Sequence, residues 1–170
     1  TNIDIGGRSS VPLRAGDSNP GVIRSALGGV GRNIAHNLAL LGAEIKLVTA
    51  LGGDDGARRI EDSCAGLGID LSGTLRVPEA DTGTYLYIDG PDGDMALAMN
   101  DMAIFERLTP AYLESVLPLL NAAALVVIDA NLRADSIAFL AENCTAPLYG
   151  DTVSAAKAGT VAYADGQKIS

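Results

Sequence analysis

The chain has 170 residues, with 12 Lys and Arg against 21 Asp and Glu, a net charge of −9 at pH 7. A hydrophobic fraction of 48% with 19% charged residues is that of a globular domain with a real core and excludes a disordered chain. The acidic balance argues against a nucleic-acid backbone or an anionic membrane as the main partner, and no apolar run approaches the roughly 20 residues of a membrane span.

In chain order, Thr1 to Gly7 reads as the end of a strand, with the expectation that the natural chain begins earlier. Residues 8–27 are rich in Ser, Pro, Gly and Asp, so the apolar pieces Val11–Leu13 and Val22–Ile23 are expected to be short strands between turns. From Gly31 the period is helical, with Ile34, Leu38 and Leu41 on one face and Gly42 as the stop. Ile45–Leu51 reads as a strand. Asp54 or Asp55 then caps a second helix, whose buried face is Ile60, Cys64 and Leu67 and whose end is Gly68.

Gly83 to Asp89 alternates, the Pro91–Asp94 stretch turns, and Met95–Met99 returns, which predicts a hairpin with one wet face. Thr109-Pro110 opens another helix that Pro118 should kink or end. Leu125–Asp129 has the uninterrupted apolar character of a strand buried in a parallel sheet. A helix over 134–143 and a strand ending at Asp151 follow, and then the rhythm breaks. The tail reads as a hairpin, with a possible missing segment near 157–159. Cys64 and Cys144 fall in apolar helical patterns and form no CxxC pair, which predicts two buried free thiols and a reducing, cytoplasmic setting. His36 is the only histidine, which removes a His-based zinc site and a Ser-His-Asp triad.

The strongest local signal is Gly28-Gly29-Val30-Gly31-Arg32-Asn33-Ile34-Ala35. A dinucleotide fingerprint fails because Ile34 takes the third glycine position, and a Walker loop fails for want of Gly-Lys-Ser/Thr. Two readings stay open on the residues alone. Either the backbone approaches a ligand while Asn33 projects its amide, or the glycines serve close helix–sheet packing and Asn33 is a cap.

Gly28, Gly29, Gly31, Asn33, Ala35, Gly42 and Gly52 together resemble the N-terminal signature of the pfkB (ribokinase-like) carbohydrate and nucleoside kinases. Within that family, Asn2–Gly7, Asp17–Gly21, the stretch 28–42 and Asn100–Met102 are most similar to the branch acting on pseudouridine. The resemblance covers roughly residues 1–157 and implies an α/β fold: a mainly parallel sheet flanked by helices, with a small β-strand lid from about residues 8–27 and 83–100. Residues 1–170 are then expected to be a partial ribokinase-like domain.

The resemblance also implies roles. Asp4 would accept from two sugar hydroxyls, the alternative being an Asx turn. Gly28 and Gly29 would let the backbone approach a ribose whose hydroxyls Asn33 bonds. Asn2 would read a pyrimidine edge or simply end a strand. Asn100 would line the substrate mouth or sit in a polar turn. Asp129 and Asn131 lie at the carboxyl end of a strand, where open α/β sheets bind ligands, and either would face the phosphoryl-transfer centre. Asp151 has the same placement and would assist Mg²⁺ or a bound water. Val30 and Arg32 replace the lysine and small residue of ribokinases, which favours a nucleoside over free ribose. Gly52–Gly56 would be structural, with Asp54 as a helix cap.

The implied reaction is transfer of the ATP γ-phosphoryl to the 5′-hydroxyl of pseudouridine with Mg²⁺, in a homodimer paired through the lid, without nucleic acid or membrane. Nothing after residue 100 matches the family's Gly-Ala-Gly-Asp-type motif, so the aspartate base is expected in a segment not present, and the nucleotide-binding segments with it. A sibling kinase for another nucleoside or sugar, and a non-catalytic nucleoside- or sugar-binding protein, are the alternatives.

Overall fold

The strand-forming segments sort into three sheets in the computed structural model, which describes residues 1–152. The hairpin expected over 155–170 and the break near 157–159 lie outside the described residues. The largest sheet has the order β2-β1-β5-β6. Strand β1 (Asn2–Ser9) runs antiparallel to β2 (Gly21–Gly28) and parallel to β5 (Thr84–Asp89), and β5 turns back onto β6 (Met95–Asp101). The hairpin turn is closed by Gly90 N–H donating to the Asp94 carbonyl, with Gly93 at φ 93°. Two parallel pairs complete the strands: β3 (Ala50–Leu51) with β4 (Leu75–Arg76), and β7 (Val126–Asp129) with β8 (Leu148–Asp151).

Helices flank these pairs. Helix α1 (Val30–Leu40) follows β2, and α2 (Asp55–Gly66) follows β3. A 3₁₀ turn (Ala103–Arg107) packs against β3, and α3 (Pro110–Asn121) and α4 (Ala134–Asn143) cover β7 and β8. One buried cluster joins Ile3, Ala35, Leu47, Leu51, Ile60 and Cys64 beneath the four-stranded sheet, and a second joins Leu113, Ile128, Ile137, Leu140 and Leu148 between α3, α4 and the β7–β8 pair. Ala50, Val77, Ile104 and Leu108 form a third cluster. This is an α/β fold of parallel strand pairs flanked by helices and topped by a strand lid.

Several local expectations change. The opening segment is a full strand, β1, that carries Asn2 and Asp4 within the lid sheet, so the lid starts before residue 8. Val11–Leu13 lies in no strand, whereas Val22–Ile23 belongs to the eight-residue β2. Of Ile45–Leu51 only β3 and an isolated bridge from Lys46 to Asp70 pair; between them the Leu47 carbonyl accepts from Thr74 Oγ1, and the Thr49 carbonyl accepts from Leu75 N–H where the β3–β4 pair begins. Helix α1 seats on Ala35 and Ala39, so Ile34 and Leu38 are only half-buried and Leu41 is 83% exposed. Small side chains let this helix lie close to its neighbours, and the larger apolar residues are left at the margin. Helix α3 runs past Pro118 to Asn121, because a proline in the last turn forfeits few ladder bonds. In β7, Val126 and Ile128 are buried but Val127 is 39% exposed, so only one face of that strand packs. Both cysteines are buried and free, as their apolar surroundings predict.

Candidate active site

Register decides which side chains share a face of the lid sheet, since residues paired across strands point to the same side. Asp4 pairs with Ala26 on one side and Tyr85 on the other, and Tyr85 pairs with Asn100. The next row is Arg24, Gly6, Tyr87 and Ala98. Asn2, Asp4, Tyr85, Tyr87 and Asn100 therefore occupy one face. The opposite face carries Ile23, Ile5, Leu86, Ile88, Leu97 and Met99. The hairpin's polar and apolar alternation thus continues across all four strands.

Close backbone approach shapes the polar face. A Cβ at Gly28 would collide with the Asp4 carboxylate, and one at Gly6 with the Tyr87 ring. Asp4 Oδ1 accepts from Asn2 Nδ2 at 2.5 Å, and Asn2 is only 6% exposed. Asn2 thus stands behind Asp4 and orients its carboxylate. The Tyr85 and Tyr87 rings lie 5.9 Å apart beside them.

Gly29, at φ 94°, turns β2 into α1, and a Cβ there would meet the Thr1 backbone. Only glycine tolerates both the conformation and the approach. The helix then starts without a side-chain cap of its own. The cap comes from Asp129 at the carboxyl end of β7, whose Oδ2 accepts from Gly31 N–H at 3.1 Å while Oδ1 accepts from Asn131 N–H at 2.9 Å. Asn33 sits in the first turn, its own N–H donating to the Gly29 carbonyl at 2.9 Å and its side chain exposed.

Arg32 points the other way. The residue is 8% exposed, and its guanidinium donates to Ser63 Oγ at 2.8 Å and more weakly to Asn33 Oδ1 at 3.4 Å, with no ion pair among the described residues. Arg32 Nε and His36 Nδ1, one helical turn apart, are buried without a partner.

The structure thus gathers Asn2, Asp4, Gly28, Gly29 and Asn33 at one end of the lid. Asn100 shares the Asp4 face two strands away, at ~10 Å given the usual strand spacing. Asn131 adjoins through Asp129 and is exposed. Asp151 is the register partner of Asp129 across the β7–β8 pair and belongs to that strand end, with no pairing to β1 or β2. Two roles escaped the sequence reading. One is that of Asp129, which with Asn131 was a candidate to face the phosphoryl-transfer centre and whose two oxygens each accept a backbone N–H here. The signal for its role was present: α1 opens on Gly29-Val30-Gly31 with no Ser, Thr, Asp or Asn to cap it, so a cap had to arrive from elsewhere. Buried Arg32 left no such signal. Among the described residues no three His, Cys, Asp or Glu groups converge to hold a metal ion, and no helix is long and apolar enough to cross a membrane.

Comparison with known proteins places these features in context. Residues 1–165 match the family described as pfkB family carbohydrate kinase. An uncharacterized sugar kinase, YeiI, of Escherichia coli (strain K12) is 38% identical over 165 residues, 95% of this chain and 45% of that protein. The pseudouridine kinase of the same organism is also 38% identical, over 157 residues, 92% of this chain and 50% of that protein. Among solved structures, a carbohydrate kinase from Agrobacterium tumefaciens superposes with a TM-score of 0.86 at 29% identity, covering 96% of this chain and 54% of that one. The chain spans about half the length of the curated relatives it matches.

Proposed function

The chain belongs to the pfkB family of carbohydrate kinases, and from that premise we propose that it forms the acceptor-binding portion of a kinase that phosphorylates the 5′-hydroxyl of pseudouridine from ATP. The observation that carries this reading is the Asp4 carboxylate set against the side-chain-free Gly28–Gly29 turn, from which α1 continues with Asn33 in its first turn. Asp4 supplies acceptors for two vicinal hydroxyls, the two glycines leave room for the sugar against the backbone, and the Asn33 amide supplies both a donor and an acceptor. Asn2 holds Asp4 in place. Tyr85, Tyr87 and Asn100 extend the same face toward whatever the sugar carries, which suits a nucleoside better than free ribose. A lid sheet that closes over the acceptor excludes water and so favours transfer over hydrolysis.

ATP and Mg²⁺ enter through family membership. Among the described residues no cage for a metal ion forms; ATP-bound Mg²⁺ would meet this portion of the protein through Asp151, directly or by way of water. The aspartate that takes the proton from the acceptor hydroxyl is not assigned to any described residue.

Pairing through the lid rests on its other face. Ile23 is 78% exposed, and Leu86, Leu97 and Met99 are also exposed, beside a cleft of about 330 Å³ lined by Ile5, Gly7, Leu13, Ile23, Leu86 and Ile88. An apolar face of this extent fits a second copy of the protein. Two buried free thiols fit a reducing cytoplasm.

The test is a competition assay on the full-length protein with ATP and a panel of pseudouridine, uridine, ribose and fructose. Preferential phosphorylation of pseudouridine is expected. Equal or better turnover of ribose or another free sugar would overturn the acceptor assignment in favour of a sibling sugar kinase. The equal identity to the sugar kinase YeiI supports that second reading.

A further inference from the structure

We propose that Asp129 is a positioning residue that sets acceptor affinity by fixing the first turn of α1. The proposal rests on the acceptor-binding reading above. Helix α1 opens on glycines and valine, so its first N–H groups have no local side-chain partner. Asn33 N–H is served by the Gly29 carbonyl, whereas Gly31 N–H is served by Asp129, 98 residues further along the chain. The second Asp129 oxygen holds Asn131 N–H, so one carboxylate ties the carboxyl end of β7 to the turn that presents Gly28, Gly29 and Asn33. Its negative charge also complements the positive end of the α1 dipole.

The seat is tight. A Cβ on Gly31 would lie 3.3 Å from Asp129 Oδ2, so an alanine there would require the carboxylate to give way by a few tenths of an ångström. The residue acts on substrate through the backbone of α1, and both oxygens are occupied by N–H groups. This role differs from that of a metal ligand or a group facing the transferred phosphate.

Steady-state kinetics on the full-length protein separate these roles. Asp129→Asn keeps the shape but loses the charge and one of the two acceptors. It should raise the acceptor KM about 10-fold, leaving the KM for ATP and the Mg²⁺ dependence unchanged. Gly31→Ala approaches the same contact from the helix side, at a position where alanine favours the helix. It should raise the acceptor KM without lowering the melting temperature, which keeps the test valid if Asp129 variants fold poorly. Combined with Asn33→Ala, either change should add little, because the Asn33 contact is already gone. Additive effects in the double variant, an unchanged acceptor KM in both single variants, or an altered Mg²⁺ requirement in Asp129→Asn would each overturn the proposal. If Asn33→Ala weakens the acceptor and Asp129→Asn does not, only this inference falls. If Asn33→Ala itself has no effect, the acceptor-binding reading falls with it.

Discussion

At the scale of single residues, the site holds one anion, Asp4 on β1, and one buried cation, Arg32 in the first turn of α1. Asp4 is oriented by Asn2 and by the absence of a Cβ at Gly28. Asp4→Asn keeps the shape and removes the charge that strengthens its bonds to hydroxyls, at a cost of roughly 1.5–3 kcal/mol or about 10- to 150-fold in acceptor affinity, read from acceptor KM with ATP saturating. Arg32 poses a different balance. A guanidinium buried without a carboxylate is costly to keep, and its Nε has no partner. Arg32→Met should therefore leave the melting temperature equal or higher. The same change frees the Asn33 side chain, so acceptor affinity should fall by about 5-fold, near 1 kcal/mol. A lower melting temperature with unchanged acceptor affinity would make Arg32 a packing residue only.

At the scale of elements, the two helices that follow the lid and β3 are started by opposite means. Helix α2 has a local cap: Asp54 accepts from Ala57 N–H at 2.9 Å, and its carboxylate also takes Thr82 N–H at 2.9 Å and Thr82 Oγ1 at 2.7 Å. One side chain thus starts the helix and pins the loop before β5. Asp54→Ala should destabilise the full-length protein by about 1–2 kcal/mol in urea unfolding at pH 7. Partial burial pushes the Asp54 carboxyl up, but the hydrogen bonds from Thr82 and Ala57 outweigh it and hold the carboxyl below the usual aspartate value. A folded-state pKa that is depressed contributes stability above the unfolded value of about 3.9, and that contribution is lost as pH falls through the lower folded value. The gap between wild type and Asp54→Ala should accordingly narrow in unfolding experiments run below about pH 4. Helix α1, with its cap supplied by Asp129 across 98 residues, has no such local anchor.

At the scale of the molecule, the lid sheet has two chemically different faces. Asp4, Tyr85 and Asn100 lie on one side, and Ile23, Leu86, Leu97 and Met99 on the other. Tyr85 and Tyr87 lie on the Asp4 side and not on the apolar side. Leu97→Glu places a charge in the middle of the exposed apolar face. Light scattering on the full-length protein should then give the mass of a dimer for wild type and of a monomer for the variant. A wild-type protein that is monomeric at micromolar concentration would remove the lid-paired dimer and leave the acceptor side untouched.

By itself the sequence determined the local grammar of this protein. The period of α2, the Asp54 cap, the β5–β6 alternation and the glycine-rich start of α1 are short-range patterns, and each is legible because its physics acts within a few residues. The family motif could be read for the same reason, since Gly28 to Gly52 is one uninterrupted stretch. Tertiary structure alone decided what lies far apart in the chain. It placed Asp129 on Gly31, turned Asn2 onto Asp4, buried Arg32 against Ser63 and aligned Asn100 with Asp4 across β5. It also chose Ala35 over Leu41 as the seat of α1. These depend on which backbone groups were left unpaired and how closely two elements could approach, and neither quantity is set by residues adjacent in sequence.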